Sequence, residues 1–330
     1  MRIVRNGLLA VALAVSGCSG NQSAMDPDGG PAIHIAHLII GIVAVCGVAW
    51  VLVMVMLAAA LLRGRGRTGR EITNERSLMR AVIAAVAVTV VIVAALTVSS
   101  FFTTRGIGVP EPAAMTITVR GQQWWWQVMY ADSGPNASFE TANEIHIPVG
   151  RDVRLELQSA DVIHSFWVPS LAGKQDLVPG RSNILLLRAE KPGIYRGQCA
   201  EFCGLQHGHM AVLVIAEAPA DYERWAAGQR QTALLPSNPE ALAGQAVFLG
   251  KPCAACHTIR GTSAHGKTGP DLTHIGSRLT LAAGLVETTR GSLAAWIADP
   301  QTVKPGNNMP TVALTGVELQ QISTYMEGLK

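Results

Sequence analysis

The sequence predicts a multidomain membrane protein, in which a two-helix transmembrane hairpin precedes an all-β domain and a small all-α domain. Hydrophobic residues make up 49% of the 330-residue chain and charged residues only 15%, a balance typical of membrane proteins. Two long apolar runs lie in the N-terminal third. Behind them, the hydrophobic period changes from that of strands to that of helices. A chain of this length has room for two or three domains.

Residues 1–17 have the features of an export signal. Arg2 and Arg5 precede an apolar stretch that ends in small residues. The sequence VSGC at 15–18 also resembles a bacterial lipoprotein box, in which Cys18 becomes the lipidated first residue. The alternative is an ordinary signal peptide followed by an incidental cysteine.

The predicted hairpin covers residues 34–104, with spans at about 38–62 and 81–102. Both apolar runs exceed the roughly 20 residues that a helix needs to cross a bilayer. The loop between them, residues 63–80, carries six arginines and two glutamates. The positive-inside rule places this loop in the cytoplasm. We therefore expect the large C-terminal part on the periplasmic face of a bacterial inner membrane.

The basic character of the chain is concentrated in this loop and in the signal. The whole chain has a formal net charge of +3 at pH 7, and the remaining residues contain slightly more acidic than basic side chains. No basic patch is left to predict nucleic-acid binding. A mildly acidic outer surface is compatible with a basic protein partner.

Residues 112–218 have the pattern of an all-β domain. Four segments alternate between apolar and polar residues, namely 114–120, 144–149, 153–157 and 184–188. Turn sequences such as SGPN and KPG separate the strands, and this spacing is typical of a sandwich or barrel. The following segment, residues 219–237, is rich in Ala, Gln, Asp and Pro and is predicted to be a short helix or linker.

The C-terminal segment, residues 238–330, has helical periodicity. Asn238 followed by proline is a good helix start, and Thr315 with Glu318 has the spacing of a capping box. A stripe at helical spacing follows that box: Leu319, Ile322, Met326 and Leu329. We predict a small all-α domain here.

This helical segment contains a C-x-x-C-H motif formed by Cys253, Cys256 and His257. Two thiols one helical turn apart can attach covalently to the two vinyl groups of a haem, and the adjacent histidine then ligates the iron. A redox cysteine pair and half of a zinc site are the alternatives. Both are weak, because no βαβ pattern surrounds the motif and no second C-x-x-C is present.

Met309, in the sequence NNMP before the final helix, is the candidate sixth iron ligand. A methionine between asparagine and proline is an unusual core residue, although a core role is the alternative. His265 and His274 are less favoured rivals. The Met-Pro turn and the sequence GPDL at 269–272 resemble class I cytochromes c, which implies that fold for the domain.

A second cluster, CAEFCGLQHGHM at residues 199–210, concentrates metal-binding side chains. A disulfide would leave His207 and Met210 without a role, and a thioether is a poor ligand for zinc. Soft thiolates with imidazoles and a weak methionine favour copper. A mononuclear site that also used the distant His164 would leave one thiol idle. Two bridging thiolates and two imidazoles predict a dinuclear copper centre instead.

This arrangement resembles the CuA motif of cytochrome c oxidase subunit II. The similarity extends to the aromatic stretch GQQWWW at 121–126, to DVIHSFWVPS at 161–170 and to the hairpin. With a haem domain fused behind it, the chain resembles subunit II of a caa-type oxidase. The resemblance implies a cupredoxin fold for residues 112–218 and assigns the copper ligands: His164 and His207 terminal, Cys199 and Cys203 bridging, Met210 weak.

The resemblance also implies roles outside these five ligands. The Glu201 carbonyl would contact one copper, and its carboxylate would help to hold a Mg ion at the interface with subunit I. Trp124 matches the aromatic residue at which an external cytochrome c delivers electrons in the family. The chain departs from the family where it enters the second span. Many relatives carry a Glu-and-Trp segment there that is associated with proton uptake, whereas this chain has NERSLMR. Glu75 is therefore given no proton-uptake role.

The implied function is electron entry into a terminal oxidase. Electrons would pass from covalent haem c to the copper centre and on to haem a of subunit I, where O2 is reduced to water with proton pumping. Subunits I and III and a cytochrome c donor are the implied partners, and no catalytic acid–base residue is expected. The alternative is a membrane-anchored copper-delivery protein, which would bind one copper and would not need a haem. A metal-free quinol-oxidase-type subunit is disfavoured by the complete ligand set.

Overall fold

The computed structural model divides into two compact units, Ile33–Val109 and Pro110–Lys330 together with residues up to Ala32. The predicted signal and Cys18 lie outside the described residues, as does much of the arginine-rich loop. The structure describes the following residues: 20, 22–64, 75–107, 115–131, 138–236 and 238–330.

Two long apolar helices dominate the first unit, α1 (Gly30–Gly64) and α2 (Glu75–Ile107). Both are long and apolar enough to cross a membrane, with a mean hydropathy of 2.9 in the most apolar window of each. A rise of about 1.5 Å per residue makes either helix longer than the roughly 30 Å of a hydrocarbon core. Each predicted span lies within one of these helices.

Among the described residues, ten strands follow one another in the first part of the second unit: β1 Met115–Gln122, β2 Trp125–Tyr130, β3 Phe139–Ala142, β4 Glu144–Pro148, β5 Val153–Ser159, β6 His164–Trp167, β7 Gln175–Leu177, β8 Asn183–Leu187, β9 Gly193–Cys199 and β10 Ala211–Glu217. They form two five-stranded sheets, with orders β3-β2-β1-β5-β8 and β4-β10-β9-β6-β7. The all-β prediction is therefore confirmed.

The core of this sandwich follows directly from the alternation in the sequence. In β5, Val153, Leu155 and Leu157 are buried while the residues between them are not. Burying such a side chain stabilises the fold by about 1.5–3 kcal/mol. Trp126 and Phe166 meet edge to face in the same core, with ring centroids 5.6 Å apart. This packing supports the strand end from which His164 projects.

Helix α3 (Pro219–Gln229) follows β10 and packs on the sandwich. It forms the first part of the segment predicted as a short helix or linker. Trp225 of this helix stacks on His146, with ring centroids 3.9 Å apart, and His146 Nδ1 lies 3.0 Å from a Glu217 carboxylate oxygen. His146 is therefore a packing residue of the sandwich.

The C-terminal domain is helical, as predicted. The Asn238 side chain accepts a hydrogen bond from the Ala241 amide at 2.8 Å, and Thr315 and Glu318 form the expected capping box. The elements are α4 Pro239–Gly250, α5 Cys253–Cys256, α6 Arg290–Ala298, α7 Pro300–Val303, α8 Gly316–Gly328 and a small hairpin of β11 Thr280–Leu281 and β12 Val286–Glu287. The two longest of these helices, α4 and α8, pack against each other over a core that includes Phe248.

Candidate copper and haem sites

Backbone pairing brings the two ends of the predicted copper motif together. Strand β6 begins at His164, and the neighbouring strand β9 ends at Cys199, with Phe166 opposite Cys199 in the register. The Cys199 amide donates to the Met210 carbonyl at 2.9 Å, which closes the loop between β9 and β10 at its base. The loop side chains and the distant histidine therefore meet at one edge of the sandwich.

The donor atoms form a connected group with the two sulfurs at its centre. The Sγ atoms of Cys199 and Cys203 are 3.7 Å apart. His164 Nδ1 lies 3.9 Å from the first sulfur, and His207 Nδ1 lies 3.6 Å from the second. Met210 Sδ lies 3.9 Å from Cys203 Sγ. Soft sulfur donors flanked by one imidazole each suit copper, so the residues present fit a dinuclear copper centre.

The same contacts favour a thiolate in this group. A hydrogen bond from Cys203 lowers the pKa of the Cys199 thiol, and sharing that proton raises the pKa of the Cys203 thiol. Burial lowers the pKa of His164, but its hydrogen bonds to Cys199 and Asp161 outweigh burial and raise the net value. The site therefore attracts positive charge at the sulfurs, as a thiolate-bridged cation centre requires.

Two residues that support His164 were not assigned from the sequence. The Asp161 carboxylate lies 2.8 Å from His164 Nε2, so this nitrogen is used as a donor and Nδ1 faces the sulfurs. A Cβ on Gly121 would lie 2.8 Å from His164 Cδ2, so only glycine leaves room for the ring. Asp161 stands three residues before the histidine, a spacing that could have indicated the support.

Glu201 and Trp124 both lie beside the sulfur cluster. The Glu201 carbonyl oxygen is 3.2 Å from Cys199 Sγ, whereas the Glu201 residue is exposed. The Trp124 indole donates its Nε1–H to the Cys203 carbonyl at 2.9 Å, and Trp124 is 9% exposed. Trp124 is thus joined directly to the backbone of the loop between β9 and β10 (residues 200–210, the copper loop).

In the helical domain, the imidazole of His257 is held in one tautomer. Its Nδ1 lies 2.8 Å from the Pro270 carbonyl, to which it donates, and this leaves Nε2 as the metal-binding atom. Burial lowers the pKa of His257 and favours the neutral ring that a metal needs. A Cβ on Gly269 would lie 2.5 Å from His257 Cε1, so the glycine of the GPDL sequence makes room for the ring.

A cavity of about 360 Å³ lies beside this histidine, and its lining includes Cys253, Cys256, His257 and Met309. Buried Arg278 also lines it, and Arg278 Nε has no hydrogen-bond partner among the described residues. An anionic propionate would satisfy this nitrogen, so the residues fit a haem.

The rival iron ligands are placed elsewhere. His265 is exposed, and neither it nor His274 is among the residues that line the cavity. His274 is buried, with ring nitrogens 3.1 Å from the Lys330 carbonyl and 3.2 Å from the Gln231 carbonyl. Both ring nitrogens of His274 are therefore occupied by backbone contacts, which leaves Met309 as the better placed candidate.

Comparisons with known proteins agree with both domains. The family described as "Cytochrome C oxidase subunit II, periplasmic domain" matches residues 132–217, and the family described as "Cytochrome c" matches residues 241–330. Cytochrome c oxidase subunit 2 of Alkalihalophilus pseudofirmus is 32% identical over 96% of this chain and 94% of its own length. The Bacillus subtilis subunit 2 is 30% identical over 66% of this chain and 63% of its own.

A similar solved structure is the periplasmic domain of subunit II of cytochrome oxidase (CoxB) of Bradyrhizobium japonicum. It is 32% identical, covers 37% of this chain and 96% of its own, and has a TM-score of 0.35.

Fold and site together define a cupredoxin-like domain joined to a cytochrome c domain behind two membrane-length helices. The chain belongs to the cytochrome c oxidase subunit 2 family, which confirms the resemblance drawn from its motifs. Membership implies copper in the first domain, haem in the second, and association with subunit I in an oxidase complex. The two apolar helices and the family indicate a membrane-anchored protein with a periplasmic domain.

Proposed function

We propose that the chain passes electrons from a covalent haem c to a dinuclear CuA centre and on to haem a of subunit I, where O2 is reduced to water with proton pumping. The observation that carries the proposal is the sulfur pair at 3.7 Å, with one histidine nitrogen beside each sulfur. Bound copper and haem would supply reversible one-electron transfer, and the residues of the chain supply position, burial and charge.

The proposed copper ligands are His164, Cys199, Cys203, His207 and Met210, with the carbonyl of Glu201. A stiff sandwich holds these donors nearly fixed, because the loop starts and ends on paired strands. The proposed haem residues are Cys253 and Cys256 for attachment and His257 and Met309 for the iron. His257 would use Nε2 for the iron, because the Pro270 carbonyl accepts its other N–H.

Trp124 is proposed to assist electron entry at the copper centre, since its indole is hydrogen-bonded to the Cys203 carbonyl. The exposed Glu201 carboxylate is proposed to help to hold Mg at the interface with subunit I. We also propose a cytochrome c donor and subunit III as partners, a periplasmic location for residues 112–330, and processing of residues 1–17 with lipidation at Cys18.

Metal analysis with EPR of the loaded subunit tests this function. We expect two coppers for each chain, a mixed-valence signal shared over both copper nuclei, and a low-spin haem c spectrum. One copper for each chain with an ordinary four-line signal would instead favour the copper-delivery protein. Flash reduction supplies the second test, in which the haem should pass its electron to copper. Failure of that transfer in the loaded protein would contradict the proposal.

A further inference from the structure

Lys304 lies where the helical domain meets the copper loop, and no motif includes it. The residue follows α7 directly and is only 2% exposed. Its ammonium Nζ donates to the carbonyls of Trp124 and His209 at 2.7 Å each, and to the carbonyl of Ala282 at 2.8 Å. The three N–H groups of a lysine ammonium thus have three acceptors, two from the β-sandwich that carries the copper loop (the copper domain, residues 112–218) and one from the helical domain (residues 238–330).

Lys304 has all three hydrogen-bond acceptors only while the two domains are in contact. A buried ammonium is costly unless hydrogen bonds replace its water. Here the hydrogen bonds come from both domains, so separating the domains would remove the Trp124 and His209 carbonyls from the ammonium. Burial lowers the pKa of Lys304 to about 7, and the three carbonyl acceptors that converge on Nζ favour its charged form. The lysine therefore opposes separation of the two domains.

The turn between β11 and β12 reinforces this contact. The Ala283 carbonyl accepts from the Ala211 amide at 3.0 Å, and the Gly284 carbonyl accepts from Arg196 Nη1 at 3.4 Å. Ala282 and Ala283 have φ values of 54° and 63°, in the left-handed region that non-glycine residues rarely adopt. Such residues persist where the surroundings hold them. The turn is thus shaped to present successive carbonyls to the copper domain.

Further hydrogen bonds join the two domains at other points. Buried Glu144 accepts from the amides of Leu279 and Thr280 at 2.6 and 3.1 Å. Gln206, in the copper loop, donates its Nε2–H to the Pro305 carbonyl at 2.7 Å. The two domains are therefore joined by hydrogen bonds at several points besides Lys304.

This docking covers Trp124. A Cβ on Gly306 of the helical domain would lie 3.9 Å from Trp124 Cη2 and 2.9 Å from Leu205 Cδ2, so that backbone lies directly against the copper loop. Trp124 also lines the haem cavity. A separate donor protein cannot reach its ring while the domains are docked.

We propose, on the basis of the proposed electron path, that Lys304 is a positioning residue that locks the haem domain onto the copper loop and closes Trp124 to a separate donor protein. Electrons from outside then enter at the haem domain. The lock keeps one arrangement of the two metal sites, which a flexible tether alone would not do.

The test compares Lys304→Met with Lys330→Met, a matched removal of an exposed lysine from the same domain, in the full-length, haem- and copper-loaded subunit. Hydrogen exchange at the amides of Ala211 and Leu279, both bonded across the interface, should rise at least about tenfold in Lys304→Met only. Amides inside either domain should keep their protection. The flash-induced rate from haem to copper should fall at least about tenfold, with the spectra of both centres unchanged.

Several results would overturn the lock. One is hydrogen exchange at Ala211 and Leu279 in Lys304→Met that equals exchange in the wild type, whatever the electron-transfer rate. Another is faster exchange at these amides with an unchanged rate of electron transfer from haem to copper. Faster exchange that spreads to Val214 in β10 and Ile322 in α8 would assign Lys304 to general folding. Failure of the proposed function is distinguishable, because the wild type would then pass no electron to copper although the interface amides still respond to Lys304→Met.

Discussion

The candidate copper site and the candidate haem site position their metal-binding residues in different ways. In the copper loop, four donor contacts of 3.6–3.9 Å are set by strand pairing and by hydrogen bonds that close the loop. In the helical domain, the proposed haem residues instead line a cavity of about 360 Å³. Strand pairing positions the donors of the first site, whereas a haem would fill part of the core of the helical domain. The comparison predicts different responses to losing a cofactor.

The largest expected effect is loss of the haem. In Cys253→Ala/Cys256→Ala, loss of the haem would remove the apolar contacts that it would make with cavity residues such as Phe248, Ile322 and Met326, and would destabilise the helical domain. We expect amide protection at Ile322 to collapse while Val214 stays protected, as measured by hydrogen exchange. The control is Cys199→Ser/Cys203→Ser, which should lose copper and keep both amides protected. Persistent protection of Ile322 without haem would contradict the comparison.

The next effect concerns the sixth iron ligand. Met309→Leu conserves volume and should cost less than about 1.5 kcal/mol of stability, so a spectral change would report ligation. We expect the low-spin haem spectrum to become high-spin, with the copper EPR signal unchanged. Met326→Leu is the matched control, because Met326 lines the same cavity from α8 and belongs to the core. A low-spin spectrum in Met309→Leu would reject Met309 as a ligand.

A smaller effect is expected from substituting the glycine that lies beside the candidate ligand histidine of each site. Gly269→Ala places a Cβ 2.5 Å from the His257 ring, and Gly121→Ala places one 2.8 Å from the His164 ring. Each should cost about 1–3 kcal/mol by overpacking. We expect the first substitution to change only the haem spectrum and the second to change only the copper hyperfine pattern. Gly316→Ala, with open space around the added atom, is the control and should change neither spectrum.

The smallest effect is a pH dependence at the interface. Burial raises the pKa of Glu144 above its ordinary 4.5, although Arg278 opposes the rise. A raised folded-state pKa contributes stability that is present below 4.5 and is lost as the pH rises through the folded value. The unfolding free energy of Glu144→Gln relative to wild type should therefore increase over that rise, as measured by denaturant titration at a series of pH values. A difference independent of pH would exclude ionisation of Glu144 as the cause.

Much of this architecture could be predicted from local sequence patterns. Alternation predicted β5, the Thr315 and Glu318 spacing predicted the start of α8, and C-x-x-C-H marked the haem domain. These features succeed because helix caps, strand alternation and covalent haem attachment are short-range properties. The copper motif at 199–210 was predicted from equally short spacing, whereas His164, which lies 35 residues before Cys199, was assigned through the resemblance to the family.

The roles of Lys304 and Gly121 could not be predicted from local sequence patterns. Nothing near Lys304 in sequence marks it, because its hydrogen-bond acceptors lie up to 180 residues away at Trp124.

The sequence by itself determined the fold class, the two membrane-length helices and the motifs of the candidate copper and haem sites, because these depend on residue type and short spacing. Only the tertiary structure decided how the haem domain meets the copper loop. The contacts of Lys304 depend on which distant backbone segments come together. The packing of many residues at once decides this, so no local pattern specifies it.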